Sequence, residues 1–203
     1  TSADFWREIV KVNGDAIRAR HPDLEAKAGR PLEEWSVKRR GTEGEADVAL
    51  DALFVINTPS EIQASVRPAH VDYEQKIFAG LFYMRLDEDE TTGGDLALYR
   101  FKQRAAFGGH YARLNDLHED KVVDYRANRF VSFVNSPVSI HGVTPRSPSP
   151  RVRRYVNFIA ETPYAAFEIP RLPTIPRFAF WLQRRKTKRK GITLKSVAPV
   201  GQG

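Results

Sequence analysis

The 203-residue sequence contains no cysteine. This absence excludes a disulfide scaffold, thiolate zinc sites, iron–sulfur clusters and cysteine nucleophiles, so any bound metal must be held by His, Asp and Glu. No apolar run approaches the roughly 20 residues of a membrane-spanning helix, which excludes an integral helical membrane protein. The N-terminus lacks a basic segment followed by an apolar stretch, so no secretory signal is visible and we expect a cytoplasmic location.

Acidic residues are absent from residues 169–203, which contain nine Lys and Arg. The net charge of +7 arises from this tail, because residues 1–168 contain 23 basic and 25 acidic side chains. The nearly neutral body argues against nucleic acid as a partner. The basic run at residues 184–190 is either a solvated end or an electrostatic contact with an anionic surface.

The remaining composition predicts a folded, mainly β chain with helices at its N-terminus. Residues 4–29 have helical periodicity, with breaks expected at Gly14 and at the His21-Pro22 step. The spacing of the later apolar runs favours a β sandwich or barrel, with the helices packed outside. We expect a helical support segment at 1–48, a β core at 49–162, and a proline-rich extension with a basic tail at 163–203. The predicted strands are 52–57, 61–71, 77–86, 95–101, 121–125, 130–135, 138–143 and 152–160.

Three residues with metal-binding side chains stand out in the β region: His70, Asp72 and His141. Residues i and i+2 of a strand project to the same side, so His70 and Asp72 should point together. If the strand carrying His141 is a neighbour, the three form a 2-His-1-carboxylate triad with open coordination positions. That ligand set suits non-haem Fe(II). The alternative is a surface His–Asp pair with an unrelated histidine in a hairpin.

An arginine is expected beside this triad. Residues 144–150 read as a loop, and a hairpin centred on that loop would pair His141 with Arg154 on one face. A guanidinium fork in that position suits bidentate capture of a carboxylate. Arg153 would then point to the other face, and a slip of one residue in the register would exchange the two arginines.

The His-x-Asp…His…Arg pattern resembles the Fe(II)- and 2-oxoglutarate-dependent dioxygenases over about residues 50–162. The likeness extends to the strand at 77–86, the Gly-Gly turn at 93–94 with its following strand, and the segments 128–135 and 154–158. It implies a double-stranded β-helix, that is, a jelly-roll or cupin-like fold.

The same resemblance implies the roles of individual residues. His70, Asp72 and His141 would bind Fe(II), while Arg154 would bind the distal carboxylate of the co-substrate 2-oxoglutarate, with Tyr83 as its partner. A serine that is frequent two residues after the arginine in parts of the family is replaced here by Val156.

The implied reaction uses dioxygen, converts 2-oxoglutarate to succinate and carbon dioxide, and hydroxylates an unactivated C–H bond. The related halogenases lack the carboxylate that Asp72 supplies here, so its presence favours hydroxylation over halogenation. Desaturation, ring closure and demethylation use the same oxidant and stay open as alternative outcomes. A compact barrel favours a small-molecule metabolite or natural product as substrate, and Arg67 and Arg85 are candidate ligands for a substrate carboxylate or phosphate. The alternatives are a prolyl-type hydroxylase acting on a peptide, repair of alkylated nucleic acid, and a metal-binding β-barrel without catalysis.

Overall fold

In the computed structural model, which describes residues 2–65 and 67–170, the chain begins with two helices, α1 (Ala3–Arg20) and α2 (Leu24–Ala28). Ser2 caps α1 by accepting a hydrogen bond from the Phe5 amide. The helix runs through Gly14, where we expected a break. The buried apolar face of α1 outweighs the roughly 1 kcal/mol that one glycine costs a helix. No helix in the described ranges has the length and hydropathy needed to cross a membrane.

The rest of the described chain is mainly β. Its strands are β1 (Val37–Arg39), β2 (Val48–Asn57), β3 (Lys76–Tyr83), β4 (Leu96–Phe101), β5 (Leu117–Val123), β6 (Arg129–Val134), β7 (His141–Val143) and β8 (Arg153–Glu161). Five strands form one sheet in the order β1-β2-β8-β3-β6, which is antiparallel except for the parallel β1–β2 pair. A second, antiparallel sheet has the order β5-β4-β7. These elements confirm the predicted mainly β class, while the double-stranded β-helix and the domain boundaries stay predictions.

The two faces of the larger sheet have different coverings. On one face the buried side of α1, including Trp6 and Ile9, packs in a cluster with Leu50 and Phe78, as the prediction of external helices required. Because the side chains of a strand alternate between its two faces, Leu81 and Tyr83 of β3 lie on the other face of the sheet. There they pack in a second cluster with Leu96 of β4. The space between the two sheets therefore holds the candidate site.

Two sequence predictions about strand pairing are wrong. The described residues of 61–71 form no strand, and the bridges in this range, at Ala64 and His70, are isolated ones. Pro59 precedes this stretch and Pro68 lies within it, and proline lacks the amide donor that a continuous ladder needs.

The predicted hairpin between the segments of His141 and Arg154 is also absent. β7 pairs with β4 in the smaller sheet, whereas β8 lies between β2 and β3 in the larger one. The proline-containing loop between β7 and β8 therefore crosses from one sheet to the other. His141 and Arg154 are not partners in a common ladder.

The turn before β4 depends on two glycines. Gly93 and Gly94 have φ values of 74° and 76°, and a Cβ on Gly93 would overlap the carbonyl oxygen of Pro145. Gly109 has a similar φ of 69° but open space around it. We expect Gly93→Ala to lower the free energy of unfolding by about 1–3 kcal/mol more than Gly109→Ala, since it adds a clash to the same backbone strain. Urea denaturation measures both, and equal losses would contradict the packing described here.

Candidate metal centre

The two histidines meet through a reciprocal backbone pair. The His70 amide donates to the His141 carbonyl and the His141 amide donates to the His70 carbonyl, both at 2.8 Å. Directly paired residues share a face, and the two imidazole centroids are 4.3 Å apart. This bridge brings together two residues that are 71 positions apart in the chain. It also fixes the segment that carries Asp72.

Asp72 completes the cluster. Its Oδ1 lies 3.8 Å from His70 Nε2, and its Oδ2 lies 3.8 Å from His141 Nε2. One potential ligand atom from each residue lies within 4.8 Å of the others, and all three side chains are buried. Two imidazoles and one carboxylate at this separation can hold a divalent metal ion.

The hydrogen bonds of the two imidazoles leave their metal-facing nitrogens free. His70 Nδ1 lies 2.8 Å from the Pro68 carbonyl, and His141 Nδ1 lies 2.9 Å from the Ser139 carbonyl. A carbonyl only accepts, so each Nδ1 donates its hydrogen and each Nε2 has a lone pair. His70 Nε2 is buried, and in the part of the chain that the structure describes it has no hydrogen-bond partner. The donor set therefore fits a metal ion.

Burial keeps both imidazoles neutral. It lowers the pKa of His70 to about 3, with a further contribution from His141, and it also lowers the pKa of His141. The neutral imidazole is the form that binds metal. At neutral pH, protons therefore do not compete for either Nε2 atom.

Lys76 holds the carboxylate of Asp72 in its ionised form. Burial alone raises the pKa of Asp72, but the charge and the hydrogen bond of Lys76, with a contribution from the neighbouring imidazoles, outweigh burial and hold that pKa at about 2. Lys76 Nζ lies 2.8 Å from Asp72 Oδ2, and Arg67 Nη2 lies 3.7 Å from Oδ1. Lys76 was not among the residues singled out from the sequence. In the sequence, the one feature that marks Lys76 is its position directly before the apolar run of β3.

The arginine inside the cavity is Arg153, which corrects the prediction for Arg154. Alternation along β8 places Arg153, Tyr155 and Asn157 on the cavity side. Arg154 lies on the opposite face of the sheet, across from the exposed Ile56 of β2. Because β7 and β8 belong to different sheets, the hairpin register on which the prediction was based does not exist. The residue two positions after the cavity arginine is Tyr155, not Val156.

Arg153 is a buried cation without an acidic partner. Its side chain donates to the Gly94 carbonyl at 2.9 Å and to Asn57 Oδ1 at 3.3 Å. The guanidinium lies 4.7 Å from the ring centres of both Tyr125 and Tyr155. Within the described part of the chain, no Asp or Glu carboxylate forms an ion pair with it. A buried charge needs compensation, so Arg153 and its remaining N–H groups are suited to an anionic ligand.

Tyr83 lies in the same cavity. Its side chain is fully buried, and its hydroxyl has no hydrogen-bond partner among the described residues. Burial raises the pKa of Tyr83 to about 12, so the hydroxyl keeps its proton and can donate it in a hydrogen bond. The triad, Arg67, Lys76, Tyr83 and Arg153 all line this one cavity between the sheets.

The two predicted substrate ligands have different positions. Arg67 lies at the edge of the cavity with 55% of its side chain exposed. Arg85 lies outside it and donates to the backbone carbonyls of Asp89, Thr91 and Tyr125. The guanidinium of Arg85 thus ties two loops together, which corrects its assignment as a substrate ligand.

Comparisons with known proteins add little to the functional information that the residues of the site give. No protein family and no curated protein matches the sequence. A prolyl 4-hydroxylase from Phytophthora capsici is structurally similar at 17% identity and a TM-score of 0.35, over 71% of this chain and 43% of that one. The chain thus spans less than half of that protein's length. A chain from the disulfide-linked pili of Bacillus endospore appendages is similar at 11% identity and a TM-score of 0.30, over 62% of this chain and 96% of that one. Both TM-scores are low, so we infer the function from the residues of the cavity and not from these similarities.

Proposed function

We propose that this chain is an Fe(II)- and 2-oxoglutarate-dependent dioxygenase that hydroxylates an unactivated C–H bond of a small molecule. The observation that carries the proposal is the joint presence, in one buried cavity, of a His-Asp-His cluster and an arginine that has no acidic partner among residues 2–65 and 67–170. Two facing sheets around that cavity support the double-stranded β-helix that such an enzyme would have.

The cluster fits the iron of this proposal. His70, Asp72 and His141 would hold it through two neutral nitrogens and one carboxylate, which leaves positions for exchangeable ligands. When bound, iron supplies the activation of dioxygen and the oxidation of the C–H bond. The protein contributes fixed ligands, because Pro68 and Ser139 orient the two imidazoles through their Nδ1 hydrogens.

Arg153 and Tyr83 fit the distal carboxylate of 2-oxoglutarate. Arg153 would bind it through charge-assisted hydrogen bonds, and the unpartnered Tyr83 hydroxyl would donate one more. The guanidinium is held among tyrosine rings and by the Gly94 carbonyl before any ligand arrives. Such preorganisation reduces the entropy lost on binding.

Arg67 supports a substrate that carries a carboxylate or a phosphate. Its guanidinium is exposed at the edge of the cavity and donates no hydrogen bond within the described part of the chain. Its nearest carboxylate, that of Asp72, is 3.7 Å away, which is longer than a strong charge-assisted contact. An anionic substrate group would complete the hydrogen bonds of this side chain near the metal.

Succinate formation tests the proposal. The chain is incubated in air with Fe(II) and 2-oxoglutarate, and succinate is measured with and without fractionated cell extract. We expect 2-oxoglutarate-dependent succinate that rises with a small-molecule fraction and is lost in His70→Ala. Stimulation by a peptide fraction alone would assign the prolyl-type alternative. Succinate no higher than in His70→Ala under every condition would overturn the enzyme assignment.

A further inference from the structure

Lys76 has no role in the function proposed above, yet its ammonium group touches the metal centre. It is the first residue of β3, and only 6% of its side chain is exposed. Its Nζ lies 2.8 Å from Asp72 Oδ2, and among the described residues no other carboxylate forms an ion pair with it. A buried ammonium group is costly without a counter-charge. Asp72 therefore compensates Lys76 as well as facing the two imidazoles.

This double use of Asp72 changes the charge of the site. Two neutral imidazoles and one carboxylate alone would carry a charge of −1, and the buried ammonium of Lys76 cancels it. Arg67, 3.7 Å from Asp72 Oδ1, adds a further positive charge, but 55% of its side chain is exposed and water screens that charge more strongly. A divalent ion held by the triad would then share its only anionic ligand with a cation a few ångströms away. Charges at such a separation interact strongly in a buried site, even when the protein screens them.

We propose that Lys76 is an internal counter-cation of the metal centre, which pairs with Asp72 and thereby lowers the affinity of the site for divalent metal ions. The inference rests on the proposed function, since it requires that the triad binds a metal. Lys76 acts through Asp72 and is a positioning residue. It keeps the buried carboxylate compensated when no ion is bound, and it makes the bound ion easier to exchange.

Cobalt(II) titration of the metal-free full chain tests this inference without any turnover. We compare wild type with Lys76→Met, which removes the charge, and Lys76→Gln, which removes the charge but keeps a hydrogen-bond donor. Lys102→Met is the matched control, because Lys102 is exposed and its ammonium group donates to a backbone carbonyl, that of Asn115, and forms no ion pair among the described residues. Both Lys76 variants should bind Co(II) at least about tenfold more tightly than wild type, because a nearby repulsive charge is gone. The control should stay within about twofold of wild type.

Thermal unfolding gives a second readout. Metal-free Lys76→Met should melt at a lower temperature than metal-free wild type, because Asp72 loses its close, buried partner and keeps only the half-exposed Arg67, 3.7 Å away. Saturating Co(II) should raise the melting temperature of the variant by more than it raises that of wild type. A variant that folds only when Co(II) is present would be the extreme form of this result.

Several results would overturn the inference. If wild type binds Co(II) and neither Lys76 variant binds it more tightly, Lys76 does not oppose the metal and this inference alone fails. If neither variant folds even with Co(II), Lys76 is a structural requirement independent of metal. If wild type, the Lys76 variants and the control all fail to bind Co(II), the metal centre fails together with the inference.

Discussion

Replacing His141 with alanine is expected to lower the affinity for divalent metal by at least about a hundredfold and to abolish 2-oxoglutarate-dependent succinate release. The imidazole supplies one of only three ligand atoms, and loss even of a residue that merely orients a ligand costs about 10–100-fold in metal sites. His141→Ala is preferable to a substitution of Asp72, because loss of the carboxylate would also leave Lys76 buried without a counter-charge.

His118→Ala is the matched control for this substitution. His118 is exposed on β5 and belongs to no ligand cluster among the described residues. Its removal should leave metal affinity and succinate release within about twofold of wild type. Metal affinity is measured by Co(II) titration and the fold by circular dichroism. Unchanged metal affinity in a folded His141→Ala protein would contradict the triad.

The second large effect concerns two adjacent arginines. Arg153→Gln should raise the 2-oxoglutarate concentration for half-maximal succinate release by about a hundredfold, which corresponds to the loss of about 3 kcal/mol from a buried charge-assisted pair. Arg154→Gln is the matched control, since it makes the same change on the opposite face of the same strand. It should leave the 2-oxoglutarate requirement within about twofold of wild type.

The binding of Co(II) separates anchoring of the co-substrate from assembly of the metal site. Arg153→Gln should keep its Co(II) affinity within about threefold of wild type, because the guanidinium donates to Gly94 and Asn57 rather than to the triad. The reverse pattern, with the larger effect in Arg154→Gln, would place the co-substrate outside the cavity described here. A loss of Co(II) affinity in Arg153→Gln would show that the residue supports the metal centre itself.

The site was more predictable than the path of the chain that builds it. Side-chain type and spacing alone pointed to His70, Asp72 and His141, because few residue types bind metal and the sequence has no cysteine. The sequence predicts a strand through His70, whereas the structure has an isolated bridge from His70 to His141. The backbone bridge between His70 and His141 is sufficient to bring the ligand residues together, and a continuous ladder around it is not needed.

The sequence could not show which arginine lines the cavity, because the face on which each side chain of β8 lies depends on the sheet to which β8 belongs. An alternating strand turns every side chain to the other face when its register moves by one residue. The hairpin assumed between β7 and β8 gave Arg154, and the crossover to the larger sheet gives Arg153. Nothing local to either residue distinguishes the two.

Lys76 shows a different limit of sequence reasoning. A lysine beside an apolar run is normally exposed at the end of a strand, since burial of its charge is costly. Here the cost is offset by Asp72, four residues earlier, whose position is set by the bridge of His70 to His141. Burial of the lysine therefore follows from tertiary pairing that the local sequence does not encode.

The most direct test of the account is an anaerobic titration of the full chain with Fe(II) and 2-oxoglutarate, followed by visible absorption. We predict a weak charge-transfer band that requires both components, saturates at one equivalent of iron, and is lost in His70→Ala. In Arg153→Gln the same band should appear only at much higher 2-oxoglutarate. A folded wild-type chain that shows no band with both components present would contradict the assignment of this cavity to iron and 2-oxoglutarate.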